Sequence, residues 1–260
     1  MRVKALLASK KRVLLFGLMM VLVAVIAISG TLAYFSGSDK VKNTFTMGKV
    51  EIELEEPEWD PDTGLEVKPG RVAEKDPTVT AIAGQSYMRI KIEIVDGEGK
   101  LIEDEDRINL ILASLWYDKD KNTLKTDGKY KASDLAALIT GGKILSEYNT
   151  DEFAFGGIQT GKPGVRYYNY VANGGIFDAD NGDKVVLFTH VIIPIDWNNA
   201  EIFTLDGSTY ETNANGSEEV LTKGTGYQIL ITGEAIQSAE MADAATAFLE
   251  LDAATGVTRE

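Results

Sequence analysis

The chain of 260 residues has no cysteine and a single histidine, His190. Without cysteine there is no disulfide scaffold, no thiolate zinc site and no thiol nucleophile. With one histidine, a His-Glu-x-x-His zinc motif is arithmetically impossible. A catalytic dyad or triad would have to be built on His190 alone, and no Gly-x-Ser-x-Gly elbow accompanies it. Basic residues are also scarce: 26 Lys+Arg stand against 40 Asp+Glu, a net charge of −14. That balance argues against nucleic acid or an anionic membrane surface as the main partner. What is present is ordinary for a folded protein, with 44% hydrophobic and 25% charged residues, so wholesale disorder is excluded. Neither an internal repeat nor a linker divides the chain, and the length fits one sizeable domain behind its leader.

The charge is unevenly spread. Residues 1–33 carry Arg2, Lys4, Lys10, Lys11 and Arg12 and no acid, so the remaining chain has 21 Lys+Arg against 40 Asp+Glu, or −19. The basic start leads into an apolar run from Val13 to Ile28, then Ser29, Gly30, Thr31, Leu32 and Ala33. Small residues at Thr31 and Ala33 complete the pattern of a secretory signal peptide cut between Ala33 and Tyr34. The run of 16 residues falls short of the ~18–20 that span hydrocarbon comfortably, which is the alternative of an uncleaved anchor. Before cleavage the leader is the chain's one predicted membrane contact.

Beyond the leader the pattern is mostly strand. Residues 47–54 alternate apolar and charged, and a turn-rich stretch with Pro57, Pro61, Gly64, Pro69 and Gly70 follows. A short strand is expected at Pro77–Ala81. The stretch Tyr87–Val95 places Met88, Ile90, Ile92 and Ile94 on one face, leaving Tyr87, Arg89, Lys91 and Glu93 for a solvated one. Two helical insertions are expected. One is capped by Asp104, with Ile108, Ile111, Leu112 and Leu115 at helical spacing; the other is capped by Ser133, with Leu135, Leu138 and Ile139, and stopped by Gly141 and Gly142. Strands are expected again at Val165–Ala172, Lys184–Ile193 and Tyr227–Ile236. The second of these is apolar on both faces and reads as central. A last helix over Ser238–Leu251 presents Met241, Ala244, Ala245, Phe248 and Leu249 as its stripe. Short strands, long turns and no βαβ rhythm predict a mainly β fold: a jelly-roll-like antiparallel β-sandwich with short helical insertions and a C-terminal helix.

Signals for chemistry are thin. Residues Gly156–Lys162 match the first seven positions of a phosphate-binding loop, but Pro163 stands where Ser or Thr should be, and a strand follows in place of the required helix. They read as a glycine-rich turn. Asp178, Asp180 and Asp183 surround Gly182 as an oxygen cluster that could attract calcium, without EF-hand spacing. Asp118, Asp120 and Asn122 are a similar near miss. A solvated turn is the default reading for both, and no cofactor is predicted.

At the cleavage junction, Gly30-Thr31-Leu32-Ala33-Tyr34-Phe35 is followed by the stretch from Asn43 through Phe45, Gly48 and Val50 to Ile52. Further on come Lys68-Pro69-Gly70, Lys75-Asp76-Pro77-Thr78-Val79-Thr80, the strand Tyr87–Ile92, Ile192–Trp197 and Tyr227–Ile236. This series resembles the exported TasA/camelysin (CalY) family of Firmicutes. The resemblance implies a signal peptide cut by the dedicated peptidase SipW. It further implies a jelly-roll domain secreted to the surface or matrix of a Gram-positive bacterium, and a head-to-tail homopolymer in biofilm fibres, with an accessory matrix subunit as a further partner. In such fibres the mature N-terminal segment is the donor strand. The family's other label, metallo-endopeptidase, is the rival implication, and nothing in this chain organises metal ligands.

The organisation expected is therefore a signal peptide at 1–33, a donor segment at 34–47 and a sandwich domain at 48–260. In the donor segment the odd positions Phe35, Val41, Phe45 and Met47 are apolar. After Gly48 the apolar set moves to the even positions Val50, Ile52 and Leu54. A phase change at glycine means either a bulge or two strands with different destinations.

Overall fold

A computed structural model describes residues 46–47, 50–56, 68–118, 129–134, 148–239 and 241–260. The leader, the donor segment before Thr46, most of the helix expected after Ser133 and the cluster Asp120–Asn122 lie outside them. The described chain is mainly β, with antiparallel sheets, short helical insertions and a C-terminal helix. Its elements run β1 (Thr46–Met47), β2 (Glu51–Glu55), β3 (Val72–Glu74), β4 (Thr78–Ala83), β5 (Gln85–Asp96), α1 (Glu105–Ala113), β6 (Leu115–Trp116), β7 (Phe153–Gln159), β8 (Lys162–Tyr170), β9 (Ile176–Asp178), β10 (Lys184–Val186), β11 (His190–Ile192), α2 (Asn199–Asp206), β12 (Thr209–Thr212), β13 (Glu218–Thr222), β14 (Tyr227–Gln237) and α3 (Ala244–Thr255).

The principal sheet has the order β1-β14-β5-β8-β7, with β9 added beside the start of β5. Smaller sheets, β10-β4-β2 and β3-β11-β6, supply the opposing layer. Period-two patterning builds the core between them: Met88, Ile90, Ile92 and Ile94 of β5 are all buried, with Ile229, Ile231 and Ala235 of β14 beside them and Val79, Val185 and Val191 across. The expected break at Gly48 separates two strands of different sheets. β1 pairs in parallel with β14, whereas β2 pairs antiparallel with β4.

Helix α1 begins as its sequence dictates. Asp104 accepts from Arg107 N at 2.8 Å, and Ile108, Ile111 and Leu112 turn inward. The Arg107 side chain reaches away from α1 and donates to the carbonyls of Leu205 and Asp206, at the end of α2, and of Gly226, just before β14. Burial lowers the pKa of this guanidinium, opposed by the nearby Asp206.

Three expectations are corrected. The stretch Lys184–Ile193 is two short strands in two sheets, β10 on β4 and β11 between β3 and β6. Between them Leu187 N bonds Pro77 O and Thr189 N bonds Trp116 O. A chain that passes from one sheet to the next beneath the core, as Leu187 and Phe188 do, is apolar on both sides for the same reason a central strand is. The last helix starts at Ala244, capped by Asp243, and its buried residues are Ala247, Phe248, Leu251 and Asp252. Leu249 is 68% exposed and outside the stripe.

The third correction concerns β5. Its odd face is solvated only in part: Lys91 and Glu93 keep side-chain exposures of 21% and 30%, but Tyr87 and Arg89 are buried, the latter completely. Helix α3 lies on that face, packing Ala247, Phe248 and Leu251 against Tyr87 and Ile236. Arg89 Nε donates to Glu234 of β14 at 2.7 Å and Nη1 to Asp252 of α3 at 2.6 Å. Asp252 is also held by Arg259 Nε at 2.8 Å, and the Tyr167 ring lies 4.5 Å from the Arg89 guanidinium and 5.4 Å from that of Arg259. Removing one partner of such a cluster leaves buried charge uncompensated. Arg89→Ala is expected to cost about 3–5 kcal/mol in denaturant unfolding, against less than ~0.5 kcal/mol for the exposed Leu249→Ser on the same helix.

Candidate functional site

A sheet can meet another chain only at an edge whose backbone groups are unpaired, so the two edges of the principal sheet decide what this fold offers. On the β7 side the last residues cover the edge at its end, around Ile158–Thr160. Thr160 N donates to Thr258 O at 2.9 Å, and Ile158 and Glu260 exchange hydrogen bonds of 3.3 and 2.9 Å. The Arg259 guanidinium fixes this tail by donating to Gly156 O and pairing with Asp252.

On the other side, β14 pairs with β5 from Tyr227 to Gln237. Its outer side meets β1 only where Thr46 stands opposite Ala235 and Met47 opposite Ile236. Among the described residues, no strand pairs with the outer side of β14 from Tyr227 to Glu234. The inner flank of this edge is covered from β2. Ile52 approaches so closely that a Cβ at Gly233 would stand 3.0 Å from Ile52 Cδ1. The opposite flank carries Gln228, Leu230, Thr232 and Glu234, with Leu230 half-buried. Nothing along the strand Tyr-Gln-Ile-Leu-Ile-Thr-Gly-Glu-Ala-Ile-Gln guards the edge. It has no proline and no lysine, and its one charge, Glu234, is spent on Arg89.

The other candidates resolve differently. Gly156–Lys162 forms the β7–β8 hairpin, with Gly161 at φ +74° in its turn. His190 lies half-buried in β11, its Nδ1 2.8 Å from Thr189 Oγ1. Asp178, Asp180 and Asp183 do come together, but as a turn that satisfies itself. Asp183 Oδ2 accepts from Asp178 N, Asp178 Oδ1 from Asp180 N, and Asp178 Oδ2 from Gln85 Nε2, at 2.8–2.9 Å. Among the described residues no group of three His, Cys, Asp or Glu could hold a metal ion. None of their helices is long and apolar enough to cross a membrane. Ala33, Tyr34, Phe35, Val41 and Phe45 lie outside the described residues; of the donor segment only Thr46 and Met47 are placed, in β1.

Sequence reasoning missed both the open edge and the ion cluster beside it. A signal for the cluster was present. Arg89, Glu234 and Asp252 are charges of opposite sign at positions where an apolar strand or helix face would otherwise continue. Comparison with protein-family models, curated proteins and solved structures gives no match, so the functional reading rests on this geometry and on the sequence.

Burial beside the cluster has a measurable consequence. Desolvation, with Glu234 and Asp252 nearby, pushes the Tyr167 phenol up to about 12, and burial does the same to Tyr227. A phenol held protonated in the fold and released near pH 10 when unfolded makes stability fall as pH rises from about 10 to about 12. Tyr167→Phe should shallow that decline in alkaline denaturation curves; an unchanged slope contradicts the assignment.

Proposed function

We propose that the protein is a secreted structural subunit of extracellular fibres at the surface of a Gram-positive bacterium. Its subunits join head to tail after signal-peptide removal by a SipW-type peptidase, each lending its N-terminal segment to the next. The reading is supported by the resemblance of residues 28–95 and 184–250 to the TasA/camelysin family. The observation that carries it is that β1, the end of the expected donor segment, pairs in parallel with β14, on whose outer side no other strand pairs among the described residues. Such an edge is a hazard to a secreted monomer unless a strand is meant to cover it. By contrast, β2 at the edge of its own sheet exposes Glu51, Glu53 and Glu55, the common protection of an edge not used for pairing.

The donor segment matches the requirement. From Tyr34 to Phe45 its 12 residues reach about 40 Å as a strand at roughly 3.3 Å each, longer than the open stretch from Tyr227 to Glu234. While the leader is attached, the segment is tethered beside the membrane; cleavage at Ala33 frees it. Burying Phe35 and Phe45 would contribute roughly 1.5–3 kcal/mol each, and a head-to-tail contact propagates where a twofold one closes. The metallo-endopeptidase alternative lacks ligands that converge among the described residues.

Electron microscopy of the mature chain from Tyr34 should show fibres, and a chain beginning at Val50 should show none. Phe35→Asp and Phe45→Asp should leave folded monomers with unchanged unfolding midpoints. Fibres of normal yield from these variants would exclude strand donation.

A further inference from the structure

Lysine and glutamate are almost never fully buried unless they are paired, and one such pair lies where β2 ends and the chain turns into β4. Glu56 follows β2 directly, and Lys75 lies between β3 and β4; β2 and β4 pair antiparallel. Lys75 Nζ is 2.8 Å from Oε2 and 2.8 Å from Oε1 of Glu56, and the two side chains are only 5% and 6% exposed. Main-chain contacts hold the lysine in place: Lys75 N donates to Thr189 O at 3.0 Å, and Thr78 Oγ1 donates to Asp76 O at 2.8 Å. A nitrogen held against both oxygens of a carboxylate lies close to its carbon as well, near the ~3–3.5 Å separation of a near-attack pair. Other ion pairs of this fold differ in kind. Arg89 and Arg259 present guanidinium groups, which do not give up a proton to become nucleophiles. Lys91 and Glu93 are far more open to water.

We propose that Lys75 and Glu56 condense to a side-chain amide once the chain has folded, a cross-link the protein makes for itself between the end of β2 and the approach to β4. It holds whether or not the subunits form fibres. The proton balance closes inside the pair. One Nζ proton passes along the 2.8 Å hydrogen bond to Glu56, leaving an amine and a carboxylic acid. The last torsion of a glutamate is soft, so the carboxyl can turn its face to the amine. Nζ then attacks Cδ and the Nζ–Cδ bond forms. The bond from Cδ to the protonated oxygen breaks, and that oxygen departs as water with a second proton from the nitrogen. Two effects favour the step. Groups held in reacting geometry behave as if at concentrations of about 10⁵–10⁸ M. The product is a neutral amide in place of two charges that are costly to keep out of water. With no cysteine in the chain, no disulfide can fasten this place. The amide closes the loop between the two strands by a bond, so β2 stays tied to β4 even when the sheet opens.

Peptide mass analysis of the purified protein, denatured and digested with trypsin, tests the bond. Trypsin cuts after Lys49, Arg71 and Arg89 but not after Lys68, which precedes a proline, so Glu56 travels in residues 50–71 and Lys75 in residues 72–89. The two stretches should appear as one branched peptide, lighter than their sum by one water, with no cut after Lys75. In Lys75→Arg and in Glu56→Ala they should come apart. Linear residues 76–89, with residues 50–71 at full mass, as the main products of the unaltered protein overturn the proposal, and that result needs no variant to fold. A water lost between any other pair of residues overturns it as well. A chain that cannot fold, such as Ile92→Asp with its carboxylate in the core, should give the linear peptides; a cross-link there overturns the dependence on the fold.

Discussion

A guanidinium with no exposure to solvent has to be answered by carboxylates, and the way Arg89 is answered arranges most of this molecule. It sits in the middle of the longest strand, between Glu234 on the next strand and Asp252 on the C-terminal helix. The first contact joins β5 to β14 on the face away from the core. The second brings α3 down onto that face, so that Phe248 and Leu251 cover Tyr87 and Ile236. Asp252 also holds Arg259, and Arg259 carries the last residues onto β7. Ion clusters of this kind are costly to desolvate and add little net stability over an apolar core, but losing one partner leaves buried charge uncompensated. Here the arrangement fixes helix, tail and sheet together.

One outcome is an asymmetry between the two edges of the sheet. The C-terminal residues, anchored through the cluster, pair at the end of β7, around Ile158–Thr160. On the β14 side, β1 pairs at two residues, and no other strand pairs there among the described residues. Lys75 and Glu56, paired at 2.8 Å, tie the chain just after β2 to the chain just before β4, so β2 stays with its own domain whatever the residues before it do.

Much of the fold was legible because local rules were enough for it. The even face of β5 and the spacing of Ile108, Ile111 and Leu112 behind the Asp104 cap follow from period and capping alone. Helix α2 was readable too, since Asn198 and Glu201 form a reciprocal capping box, and it was passed over. Strand β7 was hidden by Gly156 and Gly157, which look like a turn but mark a bulge where the register with β8 shifts. The odd face of β5 was misread because alternation says only that a face is polar; whether a helix from the far end of the chain covers it depends on contacts 163 residues apart. The site divides the same way. The separation of β1 from β2 was visible as a phase change at Gly48, whereas the pairing of β1 with β14 depends on strand order, which no local pattern of Tyr227–Gln237 reveals.

The central claim is that subunits meet at the outer edge of β14, and amide hydrogen exchange of fibre against monomer tests it most directly. Amides of residues 227–234 that point away from β5 should exchange freely in the monomer and become strongly protected in the fibre. Those of Ile158 and Thr160, already bonded to the C-terminal tail, should be protected equally in both. Unchanged exchange along β14, with new protection at β7 or on α3, would contradict the account and place the joint elsewhere.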